Sequence, residues 1–210
     1  MFKIIKSKIF QMLVPFIKLY KLLTWNFYLT FCKKIKIIVG AGPSKFEGWF
    51  STDIWTLDLT KESDFKKYFT IKKINYVLAE HVFEHLDNLQ LEKTITNIYN
   101  YSADDVNIRI AVPDGFHKDQ NYIEYVRPGG TGEGSLDHKH LFTYKSLMEV
   151  FEKYGFKGES IEYWDEEGIF HKGYKDDEKG IITRSFINDE RNKNGNPVYT
   201  SLIMDFKKTT

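Results

Sequence analysis

The sequence predicts an α/β domain built on a doubly wound, mostly parallel sheet, with an amphipathic helix ahead of it. Three observations carry this. From residue 35 onward, short continuous apolar runs alternate with segments of helical period, as expected of parallel strands buried on both faces. Two more strand-like runs, Ser160 to Tyr163 and Ser201 to Phe206, close the chain. Finally, the residues able to do chemistry cluster just after the apolar runs, where ligands of open α/β sheets bind. They are Gly40 to Gly42, Asp53, Asp58, Glu80 to His85 and Asp114 to His117.

Residues 1–34 read as a basic arm and 35–210 as one domain. In the arm, Ile5, Ile9, Met12, Phe16, Leu19 and Leu23 recur at helical spacing, with lysines opposite them. That pattern describes an amphipathic helix over 2–24, kinked at Pro15. No run of 18 uncharged residues exists, so a membrane-spanning helix is not expected. The first 46 residues hold nine lysines and no acid in a chain of net charge +1, which leaves −8 for the remainder. A basic arm with Phe and Trp25 suits an anionic membrane surface through residues 1–30. The competing use for this helix is to cover the domain's own core. An acidic body disfavours nucleic acid as a partner. The single Cys32 excludes an intramolecular disulfide framework and is compatible with the cytoplasm.

Ile35 to Val39 is the expected central strand, and Gly40-Ala41-Gly42-Pro43 stops it. Glycines there let the backbone turn tightly and approach a ligand. Trp49 to Thr52 reads as the next strand, ending at Asp53, whose carboxylate can accept from both hydroxyls of a ribose. Asp53 follows Gly42 by only 11 residues. A standard dinucleotide unit needs about 20, because a full helix intervenes. Thr56 to Leu59 is a candidate short strand carrying Asp58, and Lys61 to Phe69 a helix. Ile74 to Ala79 is a buried strand running into Glu80-His81-Val82-Phe83-Glu84-His85. A helix over Leu89 to Tyr101 and a strand over Val106 to Val112 come next, ending before Asp114.

The stretch from Gly115 to His140 is long enough to be a lid or binding loop. It holds Tyr122, Tyr125, Arg127 and the cluster Asp137-His138-Lys139-His140. Thr143 can cap the following helix and Gly155 can end it. Arg184 and Arg191 lie in a charged, Gly- and Asn-rich segment from 166 to 197.

Taken together, VGAGPSKFEGWFSTD (39–53), LAEHVFEHL (78–86), RIAVPDGFH (109–117), DHKHLFTYKSLMEVFEKYGF (137–156), EYWDEEGIFH (162–171), RSFINDERN (184–192) and TSLIMDF (200–206) resemble a class I S-adenosylmethionine-dependent methyltransferase. The likeness covers about residues 35–208. It is greatest to small bacterial methyltransferases associated with surface-polysaccharide pathways. The resemblance implies a Rossmann-like sheet, S-adenosyl-L-methionine as cofactor and a sugar or glycan intermediate as the O-methyl acceptor. It also implies that Gly40, Ala41 and Gly42 pass the cofactor's methionine part, that Asp53 takes the ribose and Asp58 faces the adenine. Glu80 and His81 would lie between cofactor and acceptor. Two positions depart from the family pattern: Ile38 stands where an acid is common, and Ser44 where a third glycine is usual. The alternative reading is a cofactor-free module that binds at a membrane surface.

Methylating an alcohol needs a base of near-neutral pKa. His81, His138 and His117 are the candidates, with Asp114 or Asp137 to orient them, and the sequence does not choose. Arg127, Arg184 and Arg191 suit a phosphate or carboxylate on the acceptor. His81 to His85 also fits the H-x-x-E-H pattern of inverted zinc peptidases. That pattern requires a helix, whereas here it follows a buried strand, so no metal is expected.

Overall fold

The computed structural model describes the backbone of residues 2–209 and the side chains of residues 13–17 and 19–209. The elements are α1 (Phe2–Phe31), β1 (Ile35–Val39), β2 (Phe50–Ser51), α2 (Glu62–Phe69), β3 (Ile74–Glu80), α3 (Asn88–Tyr101), β4 (Ser102–Pro113), α4 (Gln120–Val126), α5 (Tyr144–Glu152), β5 (Phe156–Trp164), β6 (Phe170–Lys172) and β7 (Ser201–Lys208). Single turns of 3₁₀ helix occur at Phe83–His85, Ser135–Asp137 and Glu190–Asn192.

Seven strands form one sheet in the order β2-β1-β3-β4-β7-β5-β6. The first four in that order are parallel, and β7 runs antiparallel between β4 and β5. The chain leaves β1 toward β2 and then crosses back to β3 on the other side. The carboxyl ends of β1 and β3 therefore flank a topological switch point, which opens a crevice for a ligand.

Alternation along the strands sorts side chains onto two faces. Ile37, Val39, Val77, Ala79, Ile108, Ile110, Leu202 and Met204 point to the face covered by α2, α3 and α5. Ile38, Leu78, Ala111 and Ile203 point to the other face, where no helix contributes to the packed cluster among the described residues. There the irregular segment around Tyr174 and Ile182 packs down, joined by Phe46 and Trp49. Arg109 fastens this segment. Its buried guanidinium is paired with Asp205 at 2.8 Å and with Asp177 at 2.7 Å, and it donates to the Gly180 carbonyl. Ile38, at the position where an acid is common, thus faces a dry layer.

Several boundaries differ from expectation for local reasons. Thr56 to Leu59 forms turns, not a strand, because the Asp53 and Asp58 side chains hold the amides of residues 55, 56 and 60. The expected loop contains α4, started by Asp119 accepting from the Asn121 amide. Thr143 and Asp87 both form capping boxes, at the starts of α5 and α3. The N-terminal helix continues through Pro15 to Phe31. Its last turns belong to the core, since Trp25 is 1% exposed and packs on Phe50, Tyr68 and Phe69. Ahead of Trp25, the helix leaves Phe16, Leu19, Tyr20 and Leu23 more than half exposed.

Candidate active site

The turn from Glu80 to Leu86, at the carboxyl end of β3, is a wall shared by two cavities. Val82 and Leu86 face one of about 220 Å³, and His81 and His85 face another of about 350 Å³.

The smaller cavity is lined by Gly40, Asp53, Ile54, Leu57, Asp58, Leu59, Thr60, Val82, Leu86 and Gln90. Gly40 sits at φ +58°, and a Cβ there would fall 2.5 Å from a Val82 methyl. No other residue type lets β1 turn this close to the β3 wall. Gly42 is also left-handed, at φ +50°, with open space where its Cβ would be. The turn is sealed by the Ala41 amide donating to the Thr52 carbonyl and the Ser44 amide donating to the Ala41 carbonyl. Asp53 uses Oδ1 to hold the Trp55 and Thr56 amides and the Thr56 hydroxyl. Its Oδ2 receives no hydrogen bond among the described residues, so the acceptor needed for a ribose is present. Asp58 is more committed. It accepts from Thr60 and pairs with Lys61 at 2.9 Å. Partial burial acts to raise its carboxyl, but Lys61 and Thr60 outweigh this and hold it below the usual carboxylate range. Apolar walls for a purine, a free carboxylate oxygen and a glycine cradle fit S-adenosylmethionine.

The larger cavity is polar. His81, His85, Tyr125, Val126, Glu133, Gly134, His138, Arg184, Arg191 and Tyr199 line it. His81 is the one described non-glycine residue with positive φ, at +55°. Strain of this kind costs about 1 kcal/mol or more and persists only where the surroundings impose it. Here the His81 amide is tied to the Ala111 carbonyl, Nε2 lies 3.1 Å from Ser201 Oγ, and Nδ1 lies 3.1 Å from Glu84 Oε1. Glu84 is fully buried. Burial works against its charge, yet His81 beside it keeps the carboxyl below its ordinary range. His138 donates Nδ1–H to the Val126 carbonyl at 2.6 Å, and its ring meets that of His85 edge-on at 4.7 Å. Arg191 is paired with Asp189 at 2.6 Å and lies 3.3 Å above the Tyr199 ring. Arg184 makes no direct ion pair among the described residues.

Of the residues singled out in the sequence, Gly40, Asp53 and Asp58 meet at the first cavity, and His81, His138, Arg184 and Arg191 at the second. Ala41 is buried behind the glycine turn. Others go elsewhere. Asp114 is fully buried, and its two oxygens are taken by the Phe116 and Trp164 amides. Burial pushes its carboxyl up to about 6. It braces a loop and orients no histidine. His117 is stacked on Tyr122, and burial pushes its ring down to about 4. Glu80 lines neither cavity. It accepts from the Thr183 amide and hydroxyl and from the Arg184 amide, which brings Arg184 to the polar cavity. Arg127 pairs with Glu124 on the surface. The sequence reasoning gave no role to His85, Glu133 or Tyr199. His85 was visible as part of His81-Val82-Phe83-Glu84-His85. Tyr199 carried no signal, because only the return of β7 beside β4 brings it here.

A family described as a methyltransferase domain matches residues 36–161. No curated protein matches the chain. Among solved structures, a SAM-dependent methyltransferase from Archaeoglobus fulgidus is similar at 18% identity, with 93% of this chain and 94% of that one covered and a TM-score of 0.48. One from Anabaena variabilis shares 10% identity over 90% and 72% of the two chains, at a TM-score of 0.44. Another from Thermotoga maritima, described as a possible histamine N-methyltransferase, shares 9% over 99% and 96%, at 0.43. Likenesses this loose say nothing about activity. The family match spans more than half of the sequence, and it includes the glycine turn, Asp53 and the shared wall. The chain belongs to this methyltransferase domain family, and its cofactor is S-adenosylmethionine.

Proposed function

We propose that the protein transfers a methyl group from S-adenosylmethionine to a hydroxyl of an anionic sugar or glycan intermediate, at the cytoplasmic face of a membrane. The observation that carries this reading is the shared wall, which sets a cradle for a nucleoside and methionine against a cavity rich in histidine and arginine. When bound, the cofactor supplies an activated methyl: a carbon–oxygen bond to the acceptor forms as the carbon–sulfur bond breaks, with the electron pair left on sulfur. What remains for the chain is to hold the acceptor in line, exclude water and receive one proton.

His81 suits the last task. Its Nδ1 faces the buried Glu84 carboxylate, which would stabilise the ring once Nε2 has taken the acceptor's proton. Nε2 now contacts the buried Ser201 Oγ at 3.1 Å, a contact that an acceptor hydroxyl would have to replace. Arg184, tethered through its backbone to Glu80 and making no ion pair among the described residues, suits a phosphate or carboxylate on the acceptor. Tyr125, which is exposed, offers a face on which a sugar ring can stack. The membrane part of the proposal is supported by the nine lysines of the first 46 residues and by the exposed apolar side chains along α1. Among the described residues, no helix is long and apolar enough to cross a membrane.

The test is mass spectrometry of surface glycans from cells with and without the gene. Methylated species should vanish in its absence and return with the wild-type gene but not with His81→Ala. An unchanged glycan methylation pattern would overturn the assignment of the acceptor.

A further inference from the structure

The chemistry at the floor of the polar cavity is not exhausted by a base. A carboxylate oxygen of Glu84 and one ring nitrogen each of His85 and His138 lie within 4.8 Å of one another. We propose that these three side chains hold a divalent transition-metal ion, and that it binds the hydroxyl of the methyl acceptor. The proposal rests on the reading of this cavity as the acceptor site.

Glu84 supplies the first reason. Its side chain is fully buried, and neither oxygen receives a well-aligned hydrogen bond among the described residues. His81 Nδ1 approaches Oε1 to 3.1 Å, but off the bonding direction. A buried carboxylate whose one near partner is poorly aligned is costly, and native structures rarely leave one without a purpose. His85 repeats the pattern, because its Nδ1 is buried and also lacks a hydrogen-bond partner. The nearest charge is Asp137, at 3.5 Å.

His138 supplies the second reason. A carbonyl can only accept, so the 2.6 Å contact with Val126 places the proton on Nδ1 and leaves a lone pair on Nε2. Metal-ligating histidines are oriented by this kind of bond from the opposite ring nitrogen. Two rings 4.7 Å apart and edge-on to each other, beside a buried carboxylate, can then converge on one point.

The donor set indicates the kind of ion. Two imidazoles and one carboxylate suit zinc, manganese, iron or cobalt in the divalent state. They suit magnesium and calcium less, which prefer oxygen alone. Three protein ligands leave coordination positions open toward the cavity. An alcohol oxygen bound there would lose its proton more readily, and His81 stands beside it to take that proton. The sequence pattern H-x-x-E-H is therefore met with a different partner. His81 turns its ring to Ser201 and Glu84, and the second imidazole comes from His138, 53 residues beyond His85.

The test uses the full chain, treated with chelator and then titrated calorimetrically with Zn²⁺, Mn²⁺ and Co²⁺. Saturable binding of one ion per chain is expected, weakened about 100-fold or more in His85→Ala and in His138→Ala. Glu84→Gln is a poorer probe because a buried substitution can unfold the protein. Visible absorption of the Co²⁺ form therefore serves as the second measurement, and it should show bands of a low-symmetry site that His138→Ala abolishes. Absence of saturable binding, or binding and spectra unaltered in both histidine variants, would overturn the site. Titration with S-adenosylmethionine separates this from the methyltransferase reading, since His138 does not line the cofactor cavity. Cofactor binding without metal binding refutes the metal alone. Metal binding without cofactor binding refutes the use assigned to the ion.

Discussion

Asp53 divides its work between two oxygens, and that division makes it testable. Oδ1 holds the turn at residues 55 and 56, while Oδ2 is left for the ribose. Asp53→Asn can keep the first and replace the second with a donor. Calorimetry should show S-adenosylmethionine binding weakened by about 10-fold or more, the worth of a charged hydrogen bond, with the melting temperature unchanged. Equal affinity would remove Asp53 from the site. Asp114 stands in the same sequence pattern, an acid just after a strand, and proves different. Nothing in the local sequence shows that Trp164, 50 residues on, will donate its amide to Oδ2. Residue types after strands were legible, but the bonds that consume them were not. Glu162 gives a second prediction at this scale. It is 1% exposed and accepts the Phe186 amide. Burial, aided by Asp114, pushes its carboxyl up to about 7, with Lys172 opposing. A carboxyl raised in the folded state adds stability below its unfolded value near 4.5, and that stability is lost as pH rises through 7. Glu162→Gln keeps the acceptor and removes the charge. It should raise the melting temperature at pH 8 and leave it nearly unchanged at pH 5. A uniform change at both values would exclude linkage through this group.

At the scale of elements, α1 shows what periodicity can and cannot say. The spacing of Phe16, Leu19 and Leu23 disclosed an apolar stripe, and the structure leaves those residues exposed. Of the two uses weighed for the helix, covering the domain's own core is seen in its last turns, and docking on a membrane remains a proposal for the part ahead of them. Trp25 begins the part that packs inside, on Phe50, Tyr68 and Phe69. Tyr28 adds hydrogen bonds with the Lys36 backbone and the Gly48 carbonyl. Deleting residues 1–30 would therefore strip the core. Loss of the Trp25 contacts alone costs about 3–5 kcal/mol. Deleting residues 1–20 should leave a cooperative unfolding transition, whereas deleting 1–30 should give aggregated protein. Equal stability of the two truncations would mean that Trp25 contributes nothing. The strands of the central sheet were legible because they are continuous apolar runs buried on both faces. The residues of β6 were not, because Phe170 and His171 are only half-buried, Lys172 is exposed, and the strand owes its conformation to pairing with β5.

For the molecule as a whole, Lys21 and exposed apolar side chains of α1 lie beside the rim of the cofactor cavity. Lys21 of α1 lines a cavity of about 460 Å³ together with Ile54, Trp55 and Asp58, and Ile54 and Asp58 also border the cofactor cavity. Ile54 and Trp55 are 68% and 55% exposed, next to a helix whose Phe16, Leu23 and Phe27 are each more than 60% exposed. An arm docked on lipid would carry the rim of the cofactor cleft to the membrane surface. Two kinds of free energy would contribute. Lysines near an anionic bilayer are worth about 1 kcal/mol each and are screened by salt. Buried apolar side chains add a part that salt does not remove. Sedimentation with anionic vesicles should therefore fall, but not to zero, between low and high salt, and it should be negligible with neutral lipid at high salt. Changing Phe16 and Leu23 together to serine should abolish the salt-resistant fraction without altering the melting temperature, because both side chains already lie outside the core. Retention of that fraction in the double variant would assign vesicle binding to another surface and detach the arm from the proposed function.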